Sequence, residues 1–157
     1  MKLLCDQMLG TLAKWLRVLG FDTFYTNNTT TDDELLHIAK NEKRTIISRD
    51  KELIIRGKNK NLTAIEITST DLDEQLNQVL KLIHIDEQYV LSRCTLCNTI
   101  LKAIEKSQVE GKVPEKVFEN NDKFWFCKKC DKYYWKGSHY EKIIHKIEEI
   151  KKKTIQQ

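Results

Sequence analysis

The chain opens on an apolar triplet, Leu3-Leu4-Cys5, that breaks at once on Asp6. Apolar residues then recur at Met8, Leu9, Leu12, Trp15, Leu16 and Leu19, the three-to-four spacing of a helix with one buried face. Gly20 stands where such a helix ends. The triplet reads as a short buried strand, and residues 21–26 as a second one. Asn27 to Thr30 is a polar loop, and in "TDDELLHIAKNEK" the Thr31–Glu34 spacing marks a capping box and a helix start. "RTIISRD" supplies a β-branched strand over Thr45–Ser48 that again runs into an acid, Asp50. The helix "KELIIRG" is expected to stop at Gly57, "NLTAIEIT" gives a further strand, and the next helix takes Thr70 as its N-cap. Strand and helix alternate throughout, which is the grammar of a parallel α/β sheet.

From Tyr89 onward the pattern changes. Apolar runs shorten, the only proline (Pro114) appears, aromatics cluster, and a last helix carries Tyr140, Ile143, Ile144, Ile147 and Ile150 on one face. The expected organisation is a first domain over 1–88 and a smaller second one over 89–157. No apolar run approaches the ~18 residues a membrane span needs. The N-terminal apolar stretch also breaks before it can form a signal segment. No membrane association and a cytoplasmic location are therefore expected.

The net charge of +4 is unevenly spread. Residues 92–157 carry 15 Lys+Arg against 9 Asp+Glu, whereas residues 1–91 carry 12 against 14. A basic second part suits a polyanion such as nucleic acid, through counterion release.

In open α/β sheets, ligands sit outside the carboxyl ends of the strands. Asp6 follows the first strand, Asp50 follows the third, and Asp32, Asp33 and Glu34 open the helix after the second. Three acidic positions far apart in sequence would then share one edge. Each also has a local explanation: Asp6 and Asp50 as helix caps, Asp32 and Asp33 as first-turn acids, Glu34 as the capping-box partner. Carboxylates that converge need a cation between them, and oxygen ligands suit Mg²⁺ or Mn²⁺, with Asp6 and Asp50 as first ligands. Such an ion can activate water and stabilise charge on a scissile phosphate.

Taken in order, "CDQMLGTLAKWLRVLGFDT", "TDDELLHIAKNEKRTIISRD", "RCTLCN" and "CKKCDKYYWKGSH" resemble the Mut-seven C-terminal ribonuclease family, a PIN-like domain followed by a zinc ribbon. The resemblance covers nearly the whole chain. It implies a PIN-type α/β fold, a Mg²⁺- or Mn²⁺-dependent ribonuclease activity, and acids at Asp6, Asp32 or Asp33, and Asp50. Gln7 departs from the Glu that many members carry there, which removes one carboxylate. Asp71 is either a fourth acid or a first-turn helix acid. Arg17 and Arg49 lie within the matching stretches. Arg49 either meets a phosphate or neutralises the acids, and Arg17 with Lys14 either contacts RNA or forms solvated surface. His37 is expected on the surface.

Cys94, Cys97, Cys127 and Cys130 form two C-x-x-C pairs separated by 29 residues, the usual source of four thiolates for one structural zinc. Cys5 reads as a small buried apolar residue. Around the second pair, Trp125, Phe126, Tyr133, Tyr134 and Trp135 interleave with lysines that include Lys128 and Lys129. Either bases stack on these rings while lysines take phosphates, or alternate rings fill the ribbon's core. Ser138 and Glu141 suggest another capping box, which leaves His139 in a first helical turn to meet phosphate, assist catalysis or pack. The expected function is a metal-dependent ribonuclease acting on single-stranded RNA, its ribbon gripping RNA or a ribonucleoprotein. The alternative is a non-catalytic RNA- or ribonucleoprotein-binding zinc-ribbon adaptor on a degenerate nuclease fold.

Overall fold

The computed structural model describes residues 1–26 and 29–155, apart from the side chains of residues 139, 151 and 153–155. Asn27 and Asn28 of the expected polar loop, and the end of the lysine-rich tail, lie outside the described residues. The chain separates into two compact units, Met1–Asn98 and Thr99–Gln157.

The first unit holds four parallel strands, β1 (Lys2–Cys5), β2 (Asp22–Tyr25), β3 (Thr45–Ser48) and β4 (Ala64–Glu66), in the order β2-β1-β3-β4. Four helices alternate with them: α1 (Gly10–Val18), α2 (Asp32–Glu42), α3 (Lys51–Asn59) and α4 (Leu72–Leu80). Leu4 and Ile46 pack on one face with Leu35, Leu36 and Ala39 of α2 and Leu53 and Ile54 of α3. Strand alternation turns Leu3, Cys5 and Ile47 to the other face, and all three are fully buried. The register sets Cys5 between Tyr25 and Ile47, so the carboxyl ends of three strands finish level.

Local chemistry places the helix starts on that edge. Thr31 and Glu34 close the expected capping box, with Thr31 N donating to Glu34 Oε2 at 2.7 Å and Glu34 N to Thr31 Oγ1 at 3.3 Å. Asp71, not Thr70, caps α4, because its Oδ1 accepts two amides, Asp73 N at 2.9 Å and Glu74 N at 3.0 Å. Gly57 does not stop α3. A Cβ there would lie 3.1 Å from Ile46 Cδ1, so the bare glycine lets the helix lie close on the sheet and continue to Asn59. Gly20 does end its helix, at φ +91°, where a Cβ would come within 2.4 Å of Tyr89 O.

The second unit holds an antiparallel sheet, β5 (Lys102–Ile104), β6 (Phe124–Cys127) and β7 (Lys132–Trp135), with α5 (Glu115–Asn120) and α6 (Ser138–Ile155). Val109 and Phe124 are buried, and Ile143, Ile147 and Ile150 bury the apolar stripe of α6 as its spacing predicts. Tyr140 N and Glu141 N bond Gly137 O, so α6 starts one residue ahead of the expected Ser138 cap. The mixed α/β class read from the sequence holds. Among the described residues, no helix is long and apolar enough to cross a membrane.

Candidate functional site

Asp6, Asp32 and Asp50 line one small cleft of about 50 Å³ at the carboxyl edge of the parallel sheet, together with Gln7, Met8, Thr26, Thr30, Leu35 and Leu53. Asp6 is 5% exposed. Its Oδ1 accepts from Met8 N at 2.9 Å, and its Oδ2 accepts from the Ser48 hydroxyl. Ser48 Oγ in turn accepts from Asp50 N at 2.8 Å, so one fully buried hydroxyl ties the ends of β1 and β3 together. Asp50 Oδ1 accepts from Glu52 N at 2.8 Å and Leu53 N at 3.3 Å, which caps α3. Asp6 thus caps the short 3-10 turn Gln7–Leu9 rather than α1, whose N-cap is Leu9, Asp50 caps α3 as expected, and both line the shared cleft.

Asp32 and Asp33 part company. Asp32 faces the cleft and also meets Arg56 Nη1 at 3.2 Å. Asp33 pairs with the other arm of the Arg56 fork, and it lines a different groove with Leu36, His37, Lys40 and Lys60. Arg56 and Ser48 are the participants that sequence reasoning missed. The only signal for Ser48 was its place two residues before Asp50, and none singled out Arg56. Arg49 is half-buried beside Asp50, and among the described residues it makes no hydrogen bond or ion pair. Asp71 is occupied as a cap on exposed surface, and His37 is exposed as expected.

Arg17 is not the surface cation expected of it. It is 6% exposed, and its guanidinium donates to Thr23 O at 3.0 Å, Thr95 O at 3.0 Å and Leu96 O at 2.9 Å. The last two carbonyls belong to the turn between Cys94 and Cys97, so Arg17 anchors that turn from α1. Asn98 anchors it again, accepting from Thr23 N at 3.0 Å and donating to Asp22 Oδ1 at 2.8 Å. Arg44 reaches the same Asp22 oxygen at 2.8 Å. Burial raises the Asp22 carboxyl, but hydrogen bonds from Arg44 and Asn98 and the charges of Arg44 and Arg93 outweigh it and hold the pKa below the usual carboxylate value.

A pKa lower in the folded than in the unfolded chain gives stability that is fully present above about pH 4 and is lost as pH falls through the folded value. Asp22→Asn should therefore cost about 1–2 kcal/mol at neutral pH, allowing for the partial exposure of the carboxylate. The gap in denaturant unfolding between the two proteins should narrow as pH falls below about 4, and a gap that persists unchanged into strong acid would contradict this assignment.

The Sγ atoms of Cys94, Cys97, Cys127 and Cys130 lie within 4.8 Å of one another. A tetrahedral zinc about 2.3 Å from each sulfur sets the sulfurs about 3.8 Å apart, so the set fits one ion after a small contraction. Each C-x-x-C turn is followed by a residue in the left-handed region, Asn98 at φ 66° and Asp131 at φ 50°, and Asn and Asp tolerate that region best after glycine. Four thiolates around one zinc would fill its tetrahedron and leave no open position for water. Among the described residues this is the group of three or more ligating side chains gathered closely enough to share an ion; the three cleft carboxylates are not so gathered. Cys5 is apart from both: burial, with the Asp6 charge adding and Arg17 opposing, pushes its thiol far above the usual range.

Lys128 and Lys129 are exposed and Trp135 is half-buried, as are Trp125, Phe126, Tyr133 and Tyr134. Several rings already carry a cation: Lys136 lies 5.7 Å from the centroid of Trp125 and 4.9 Å from that of Tyr140, and Lys132 lies 5.7 Å from that of Tyr134. The His139 side chain lies outside the described residues.

No curated protein and no solved structure shows significant similarity to the chain. A family model described as the Mut7-C RNAse domain matches residues 1–147, so the chain belongs to that family, and membership supports a nuclease-type role on RNA.

Proposed function

We propose that the protein is a divalent-metal-dependent ribonuclease that hydrolyses phosphodiester bonds of single-stranded RNA in the cleft of Asp6, Asp32 and Asp50. Catalysis is assigned to residues 1–88 and RNA gripping to 89–157. One observation carries the reading: acids from the end of β1 and the starts of α2 and α3, remote in sequence, line a single cleft. Three carboxylates are the oxygen donors that Mg²⁺ or Mn²⁺ takes, and they would have to draw closer than they stand to share one ion. Asp6 is buried, its two oxygens are compensated only by neutral donors, and among the described residues no cationic side chain pairs with it. A buried carboxylate in that state invites a cation.

Asp6, Asp32 and Asp50 would hold the ion. When bound, such an ion supplies an activated water and offsets charge on the phosphate and the leaving oxygen. The chain's own residues orient the carboxylates: Ser48 and the Met8 amide fix Asp6, the first amides of α3 fix Asp50, and Arg56 fixes Asp32. Arg49, next to Asp50 in the chain, is assigned to a phosphate, which its guanidinium can meet bidentately. Lys128, Lys129, Trp135 and His139 are assigned to the strand beyond the cleft. The thiolate centre is assigned one zinc, and the reduced cysteines it needs suit the cytoplasm.

A second reading, the non-catalytic RNA- or ribonucleoprotein-binding adaptor, is favoured by the local bond that each cleft acid makes and by Gln7 in place of a carboxylate. Incubation of wild-type protein with labelled single-stranded RNA decides between them. Cleavage is expected with Mn²⁺, none when Mn²⁺ and Mg²⁺ are omitted, and recovery when Mn²⁺ is restored. Binding without cleavage under every divalent ion would leave the adaptor.

A further inference from the structure

Tyr25 ends the edge strand β2 at the rim of the acid cleft, and it is 36% exposed. Its hydroxyl is already committed: it donates to Gln7 O at 2.9 Å. The ring lies across the start of α1, where Gly10 makes room for it. A Cβ on Gly10 would fall 2.8 Å from Tyr25 Oη and 3.1 Å from Cζ. The aromatic group is thus pinned at its polar end and presents ring surface to solvent. Met8, at 58% exposure, stands on the same rim and lines the cleft beside Gln7. A partly exposed ring fixed at its polar end, beside residues that line a site for phosphate, offers a π-face on which a base can stack.

We propose that Tyr25, flanked by Met8, is a stacking platform for an unpaired nucleobase of the RNA strand whose phosphate enters the acid cleft. This rests on the ribonuclease reading for the neighbouring phosphate, and it names what that reading leaves open, the surface that selects an unpaired base. Every base has a π-face, so the platform is tolerant of sequence. A base inside a duplex has both faces covered by its neighbours, so the platform favours single strands. A thioether at the ring edge completes an apolar seat without adding a hydrogen-bond code.

The experiment uses full-length, zinc-loaded protein and a single-stranded RNA octamer carrying 2-aminopurine, with Mg²⁺ and Mn²⁺ omitted so that nothing is cut. Wild-type protein should bind and quench the probe. Tyr25→Ala should weaken binding roughly ten-fold and relieve the quenching, the loss expected for one stacked base. Tyr25→Phe should keep both. Gly10→Ala displaces the ring without touching it chemically and should behave like Tyr25→Ala while unfolding at the wild-type temperature, so it carries the test if Tyr25→Ala fails to fold. Unchanged affinity and quenching in Tyr25→Ala or Gly10→Ala would overturn the platform, as would a wild-type protein that binds no RNA. Cleavage with Mn²⁺ is scored separately. Tyr25-dependent quenching without cutting would sink the nuclease reading and keep the platform; cutting with no effect of Tyr25 would do the reverse.

Discussion

Cys94→Ser is expected to release the structural zinc and to unfold the antiparallel part of the chain at physiological temperature. Cys94 is fully buried, and its sulfur lies within 4.8 Å of three other thiols. Structural zinc contributes roughly 10–16 kcal/mol in small thiolate sites at neutral pH, and serine is a poor ligand because its hydroxyl stays protonated. The second unit has few fully buried side chains to fall back on, so it leans on the metal. Elemental analysis should find about one zinc per wild-type chain and much less in the variant, with loss of the near-ultraviolet signal of the Trp and Tyr residues on β6 and β7. Cys5→Ala is the control: that thiol sits in β1 and should leave the zinc content unchanged. Wild-type protein without zinc, or a variant that retains it, would remove the centre.

Local signals in the sequence were read correctly where one short segment carries all the chemistry. The β-branched run at Thr45–Ser48 is β3, and the Thr31–Glu34 pair closes its box, because neither depends on the rest of the chain. The two cysteine pairs are legible for a related reason: a C-x-x-C turn advertises itself. Long-range partners are a different matter. Arg17 reads in the sequence as an RNA contact or solvated surface, yet the carbonyls that bury it come from Thr95 and Leu96, far along the chain. Gly57 reads as a stop until Ile46 is seen to need the space. Asp32 and Asp33 are indistinguishable as first-turn acids, since successive positions on a helix differ only in direction, and that direction has meaning only once β1, α3 and Arg56 are in place.

That last distinction yields the sharpest test of the cleft. Asp6→Asn keeps the size of the side chain and an oxygen to accept from Met8 N, and its amide can bond Ser48, so the fold should survive with a small change in stability. What it removes is the buried negative charge. Losing a partner that merely orients a ligand typically costs 10–100-fold in metal affinity or activity, so losing the ligand itself should cost at least about 100-fold in Mn²⁺-dependent cleavage. Asp32→Asn should fall in the same direction. Asp33→Asn should stay within about two-fold of wild type, because its side chain is 81% exposed, points to another groove, and shares only the Arg56 fork with its neighbour. Melting temperatures and RNA affinity without added Mg²⁺ or Mn²⁺, measured alongside, separate lost chemistry from lost structure. Equal cleavage by wild type and Asp6→Asn would show that the charge is not used. An Asp33→Asn variant weaker than Asp32→Asn would mean that the catalytic acid of α2 sits outside this cleft.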